Sequence, residues 1–262
     1  MTNGPGEAVR IVAHCPRDPA PLLDAVLARA HDLALEGWVR AGEPEHLRAP
    51  GDARPAALHV HAEGDADGVT ALVAFVRDAV GGPIDVEPVA VEGHEQFAVR
   101  GVIAGAFVVQ EHQATAHHFD LRLQVGDVMR SWAVPKGPSL DPAVKRFAVA
   151  VGDHAIEHND FEGREPAGAR GAIVWDRGGY EQGGRVAWPQ ALERGHAVFV
   201  LHGFKLRGGF ALQRTGAERS GKPAQWLLIK RRDAEARPGS EIVSERPESV
   251  LTGRTLQELL DN

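Results

Sequence analysis

Apolar positions follow two rhythms along the chain, and the change comes near residue 100. Residues 9–14, Val-Arg-Ile-Val-Ala-His, read as a strand. Asp18 is placed as a helix N-cap with Pro19 in the first turn, and Leu22, Leu23, Val26, Leu27 and Ala30 recur at helical spacing. Residues 37–40 and 57–61 are short strand patterns. Val69, Leu72, Val73, Val76 and Val80 mark a second amphipathic helix, closed by Gly81-Gly82-Pro83. Residues 84–91 and 96–99 complete the set.

Two βαβ units with antiparallel strands predict an α+β, ferredoxin-like module over residues 1–101. From residue 102 the pattern becomes short apolar runs between Gly and Pro clusters, at 107–110, 119–125, 129–134, 147–151, 172–175, 198–204, 210–213 and 226–230. Many strands at short spacing predict a mainly β, barrel-like domain over 102–233. Residues 234–262 read as a flexible C-terminal tail, and 218–223 as an exposed hairpin loop.

Chemistry concentrates in one of these runs. His118, Asp120, Arg122 and Gln124 alternate with Phe119, Leu121, Leu123 and Val125, so a strand here has one apolar face and one chemical face. An imidazole and a carboxylate on the same side can share a divalent cation, with His112 supplying a third ligand and Arg122 an anion grip. The same alternation also fits a solvated face, with no ligand at all. A closed barrel would let these side chains face a polar cavity. His117 falls on the opposite face and is assigned to packing or to support of the ligands.

Composition narrows the classes. The 262 residues are 43% apolar, enough for ordinary cores. The single Cys15 excludes a disulfide framework and a cysteine zinc cluster, so a metal must be held by His and carboxylate. Neither a long apolar run nor a basic-then-apolar leader is seen, and a soluble, cytoplasmic protein without membrane contact is expected. The net charge of −7 is uneven: residues 1–99 hold 7 Arg against 16 Asp and Glu, a net −9, leaving +2 on the remainder. A near-neutral domain can still carry a basic groove for phosphates.

Several separated motifs carry a family resemblance: 107–112 with the histidine strand, Trp132-Ala-Val-Pro-Lys136-Gly-Pro, Lys145-Arg146-Phe, the stretch from His154 through His158 to Gly163, Trp175-Asp-Arg-Gly178 and Trp226-Leu-Leu-Ile-Lys230. Together, from about Phe107 to Lys230, they resemble the 3′-phosphoesterase domain of bacterial DNA ligase D. The resemblance implies metal ligands at His112, His118 and Asp120, and phosphate-contacting or catalytic roles for Arg122, Lys136, Arg146 and His154. His158 stands where the family usually has tyrosine and Gly152 where it often has glutamate, while residues 167–171 lack the usual Gly-Tyr-Gly. Manganese is the implied metal, with Zn²⁺ or Co²⁺ also compatible with the donors.

In the first module, Gly37-Trp-Val-Arg40 and His59-Val-His61-Ala-Glu-Gly64 resemble acylphosphatase. Its anion loop is replaced by Pro16-Arg-Asp-Pro19-Ala-Pro21 and its asparagine by Ala41, so the module reads as inactive, since proline has no N–H to offer an anion.

The expected function is a metal-dependent phosphoesterase that removes 3′-phosphate, or a 3′-terminal ribonucleoside, from DNA or RNA–DNA 3′ ends during repair. A DNA-repair protein partner is expected on the acidic module. No lysine is followed by x-Asp-Gly, so the chain does not resemble a complete ligase. The alternatives are a non-catalytic DNA-end-binding scaffold and a small-molecule phosphatase.

Overall fold

Alternation in β1 (Glu7–Cys15) puts Ile11 and Ala13 on one sheet face, where they meet Val60 and Leu58 of the antiparallel β3 (Ala56–Gly64). The chain is described here by a computed structural model covering residues 6–42, 56–114, 116–164, 170–216, 221 and 223–261. It divides into two compact units, Met1–Val102 with Arg185–Ala187, and Ile103–Gly184 with Trp188–Asn262. In the first unit β2 (Glu36–Ala41), β4 (Ile84–Pro88) and β5 (Phe97–Arg100) complete a sheet of order β4-β1-β3-β2-β5. Helices α1 (Leu22–Asp32) and α2 (Ala66–Val80) bury Val26, Ala30, Val69, Leu72 and Val76 in the core that includes Ile11, Val39 and Val60. Each such Val or Leu side chain contributes about 1.5–3 kcal/mol on leaving water.

Helix α2 begins where the Asp65 carboxylate accepts from the Gly68 N–H at 2.9 Å, and ends at Gly81 in the left-handed conformation (φ 62°). The start of α1 differs from expectation. Asp18 accepts instead from the Ala20 N–H, two residues on, in a turn of its own, and the helix begins after Pro21. At Gly37 (φ 133°) a side chain would meet the His61 carbonyl oxygen at 2.0 Å, so only glycine lets β2 approach β3 there.

In the second unit eight strands close on themselves: β6 (Gly105–Gln113), β7 (His117–Val125), β8 (Val128–Val134), β9 (Lys145–His154), β11 (Gly171–Gly183), β12 (His196–Gly203), β13 (Arg207–Gly216) and β14 (Gln225–Lys230). Neighbours run β11-β12-β13-β14-β9-β8-β7-β6, and β6 pairs back to β11; the short β10 (Gly163–Arg164) adds to β11 from outside the ring. One strand face lines the interior with Phe107, Leu121, Leu123, Trp132, Phe199, Phe210, Leu212 and Leu228, all buried. A short helix α3 (Gln190–Arg194) precedes β12.

The C-terminal segment departs from the reading as a flexible tail. It forms α4 (Ile242–Glu245) and α5 (Leu256–Asp261), and Leu256 and Leu259 pack on Ile173 of β11. The Trp175 indole N–H donates to the Arg246 carbonyl at 2.7 Å, and the Val250 N–H to the Val174 carbonyl at 3.0 Å. These partners are distant in sequence, so charge content alone misdescribed the segment. The hairpin reading at 218–223 falls largely outside the described residues.

Candidate metal centre

Strands β6 and β7 pair in a register that sets His112 opposite His118 and Gln110 opposite Asp120. Because Phe119, Leu121 and Leu123 point inward, His118, Asp120 and Arg122 must point outward. The cluster therefore lies on the outer wall of the barrel, not in a polar cavity within it. The lumen is filled by rings such as Trp132 on Trp226 and Phe119 on Trp175, leaving the chemical face no place inside.

Ligand atoms of His112, His118 and Asp120 all lie within 4.8 Å of one another. Nε2 of His112 is 3.5 Å from Asp120 Oδ2, and Nε2 of His118 is 3.5 Å from Oδ1. The two imidazoles stack at 5.4 Å with an interplanar angle of 14°. Nδ1 of His118 donates to the Ala116 carbonyl at 2.9 Å, which fixes that nitrogen as the protonated one and leaves the Nε2 lone pair facing the carboxylate. Burial holds the His112 imidazole below the ordinary histidine range, with Asp120 acting against it, so its neutral, ligand-competent form is favoured.

His112 Nε2 is buried and lacks a hydrogen-bond partner among the described residues. A buried polar atom without a partner is costly, and a cation here would satisfy it. The residues present thus fit a divalent metal by donor type, proximity and an unmet polar demand.

The residues expected to contact an anion are not equivalent. Arg122 is buried and donates through Nη2 to Asp120 Oδ2 at 3.2 Å, while its Nε is buried without a partner among the described residues. Arg146, at the start of β9, donates through Nη2 to Glu241 Oε2 at 2.7 Å. Its Nε is likewise unpartnered among the described residues. Lys136 is exposed in the turn after β8. His154, at the end of β9, feels the charges of Arg122 and Asp120, and burial followed by Arg122 pushes its pKa below the ordinary 6.5. His158 is exposed on a 3-10 helix at Ile156–Asp160, close enough to His154 to affect it. His117 lies off the cluster as expected, with Nε2 2.7 Å from Glu111 and its ring edge-on to Phe119.

Two supporting residues escaped the sequence reading. The Ser131 hydroxyl donates to the Met129 carbonyl at 3.0 Å, so its oxygen is free to accept from His154 Nδ1 at 3.2 Å. That leaves Nε2 as the His154 nitrogen for chemistry. Buried Gln110 donates to the carbonyls of His158 (3.3 Å) and Phe161 (3.0 Å), tying the 3-10 segment down beside the cluster. The outward alternation of β6 was the signal that could have found Gln110. Ser131 carried none, since its partner is 23 residues away.

A closed β-barrel with an outward His, His, carboxylate cluster beside a buried arginine defines a barrel domain with a candidate metal and anion centre. Residues 110–214 match the family model of the DNA ligase D 3′-phosphoesterase domain. The chain is 47% identical over 161 residues to the multifunctional non-homologous end joining protein LigD of Pseudomonas aeruginosa, covering 57% of this chain and 18% of that protein. It is 38% identical over 116 residues to the LigD of Mycobacterium tuberculosis, covering 43% of this chain and 15% of that one. The chain thus spans less than a fifth of the length of either relative.

Among solved structures, an acylphosphatase from Coxiella burnetii is similar at 20% identity and TM-score 0.29, covering 36% of this chain and 93% of that one. The Bacillus subtilis acylphosphatase gives 21% identity and TM-score 0.26, covering 36% and 98%. Both scores are too low to establish a shared fold. No helix among the described residues is long and apolar enough to cross a membrane.

Proposed function

We propose that the barrel domain is a metal-dependent phosphoesterase that cleans DNA or RNA–DNA 3′ ends during repair, removing a 3′-phosphate to leave a 3′-hydroxyl, and releasing a 3′-terminal ribonucleoside to leave a 3′-phosphate that is then removed in the same way. The observation that carries this reading is the buried, unpartnered Nε2 of His112 beside His118 and Asp120, next to a buried arginine with its own unpartnered Nε–H. End-joining proteins as relatives supply the DNA-end context.

His112, His118 and Asp120 would hold the cation, with Mn²⁺ favoured by the family and Zn²⁺ or Co²⁺ compatible with the donors. When bound, it supplies charge neutralisation and Lewis acidity at the phosphoryl group. Arg122 presents its free Nε–H to a non-bridging oxygen while its Nη2 holds Asp120 in place. Arg146 reaches the phosphate by exchanging the Glu241 carboxylate for it, and exposed Lys136 adds a mobile positive charge at the rim. As water adds to phosphorus and the bond to the 3′ oxygen breaks, His154 Nε2–H passes its proton to that oxygen. His158 replaces the family's tyrosine as a hydrogen-bond donor at the edge of the site.

The acidic first unit is proposed to be inert as an acylphosphatase. The amides of Ala20, Leu22 and Leu23 are already given to Asp18, Pro19 and Ala20 within their own turn, so the β1–α1 connection has few donors for an anion.

A 3′-phosphorylated primer–template incubated with and without Mn²⁺, beside a generic phosphate monoester, tests the function. Mn²⁺-dependent conversion of the primer to a 3′-hydroxyl end is expected. Binding without turnover would favour an end-binding scaffold, and preference for the small ester a small-molecule phosphatase.

A further inference from the structure

The first unit contains a second convergence of imidazole and carboxylate, which the phosphoesterase reading does not use. His61 and Glu63 lie two apart on β3, on the sheet face that also carries Arg10 of β1 and Trp38 of β2, opposite the helix-covered core. The segment after β4 folds over this face and brings Glu92 and His94 to it. Ligand atoms of His61, Glu92 and His94 lie within 4.8 Å of one another. His61, Glu63 and His94 are all but fully buried, at 0%, 2% and 3% exposure.

Buried imidazoles and carboxylates are held only if their polar atoms are satisfied. Glu63 is: it accepts from His61 Nε2 at 2.9 Å, from the Gly93 N–H at 2.9 Å and from the His94 N–H at 3.4 Å. His94 Nε2 lies 3.1 Å from Glu92 Oε2 and 3.7 Å from Glu63 Oε1, and Glu92 also meets Arg10 Nη2 at 3.4 Å. His61 is not satisfied. With its Nε2–H given to Glu63, the Nδ1 lone pair is left without a partner among the described residues, on a fully buried ring stacked on Trp38 at 6.1 Å and tilted against His94 at 5.4 Å. A carboxylate holding one imidazole nitrogen while the other stays unsaturated is the arrangement found behind metal-bound histidines.

We propose that His61, His94 and Glu92 form a second divalent-cation site, separate from the barrel centre, with Glu63 orienting His61 from behind. Two imidazoles and one carboxylate select a first-row transition ion such as Zn²⁺ over Mg²⁺ or Ca²⁺, which prefer oxygen donors throughout. The ligands come from β3 and from the segment after β4, so the bound ion would pin that segment to the sheet. Three protein ligands leave a fourth position for water.

The test uses the full chain with the barrel centre blanked by His118→Ala and Asp120→Asn, so that failure of one site is not mistaken for failure of the other. Metal-free protein is titrated with Zn²⁺ by calorimetry, and with Co²⁺ to follow its visible absorption. One equivalent is expected to bind, to raise the melting temperature, and to be lost on adding His94→Gln or Glu92→Gln. Glu92 is half-exposed, so Glu92→Gln remains informative if His94→Gln fails to fold. No binding by the folded, blanked chain, or an unchanged equivalent in folded Glu92→Gln, would overturn the proposal.

Discussion

His112 and Asp120 set the terms at the scale of single residues. His112 Nε2 is 3.5 Å from a carboxylate oxygen yet unsatisfied, so removing that carboxylate should remove the attraction for a cation rather than the fold. Asp120→Asn and His118→Ala are expected to abolish Mn²⁺ binding and turnover with the far-ultraviolet spectrum unchanged; wild-type turnover by either in chelator-treated buffer would disprove the ligand set. Arg122 is a different case. Its Nη2 holds Asp120, so Arg122→Ala should cost roughly 10²–10³ in rate as a lost charge stabiliser and also weaken metal affinity, which calorimetry would detect. Arg146→Ala, without a bond to a ligand, should lose rate at unchanged metal affinity. His154 gives a pH signature. Its pKa is depressed below 6.5, so as a proton donor it is active when protonated, and kcat/KM should fall with rising pH through a value below 6.5. His154→Asn should be slow and lack that limb, whereas an unchanged profile would assign the proton elsewhere. The candidate ligands His118 and Asp120 were legible because alternation on β7 puts them on one face. Ser131 and the Glu241 partner of Arg146 were not, because nothing local links them to the site.

Among elements, all eight barrel strands were visible as apolar runs cut by Gly and Pro, yet the direction of the chemical face was not. Alternation separates two faces without saying which one a closed sheet turns inward, and large rings such as Trp132, Trp226 and Phe210 filled the lumen first. The second half of β11 was missed because Arg177-Gly-Gly-Tyr180-Glu-Gln-Gly183 sends only Tyr180 into the core. The C-terminal segment shows the same limit, with Ile242, Leu256 and Leu259 isolated among charges. Its hold on the barrel runs through Lys205, whose ammonium donates to the Arg246 carbonyl at 2.7 Å and to that of Glu248, and lies 4.5 Å from the Trp175 ring centre. Removing residues 234–262 should strand the Trp175 and Lys205 donors, at about 1–3 kcal/mol each, and yield a destabilised or insoluble remainder. Burial lowers the Lys205 pKa to about 8, so the folded state binds fewer protons than the unfolded state between about pH 8 and 10.5. Stability should therefore rise across that window, by up to about 3 kcal/mol, and Lys205→Met should remove the rise in urea titrations.

Over the whole molecule the dominant asymmetry is charge. A net −9 on the first 99 residues opposes a polyanion, while the remainder carries +2 together with the arginines of the candidate phosphate site. We expect the acidic unit to serve a protein partner or a regulatory contact in repair rather than DNA. Deleting residues 1–101 should then leave the barrel folded and active, with tighter binding to a 3′-phosphorylated primer–template at low salt. The gain should shrink as ionic strength rises and the screening length falls to about 8 Å near 0.15 M. Residues Arg185–Ala187 group with the first unit, so the deletion also removes their packing partners, and a modest loss of melting temperature is expected alongside. Filter binding across a salt series on the full chain and the truncated chain separates the outcomes. A salt-independent difference would assign the effect to lost structure, and an insoluble or inactive remainder would make the acidic unit part of the fold that the phosphoesterase needs.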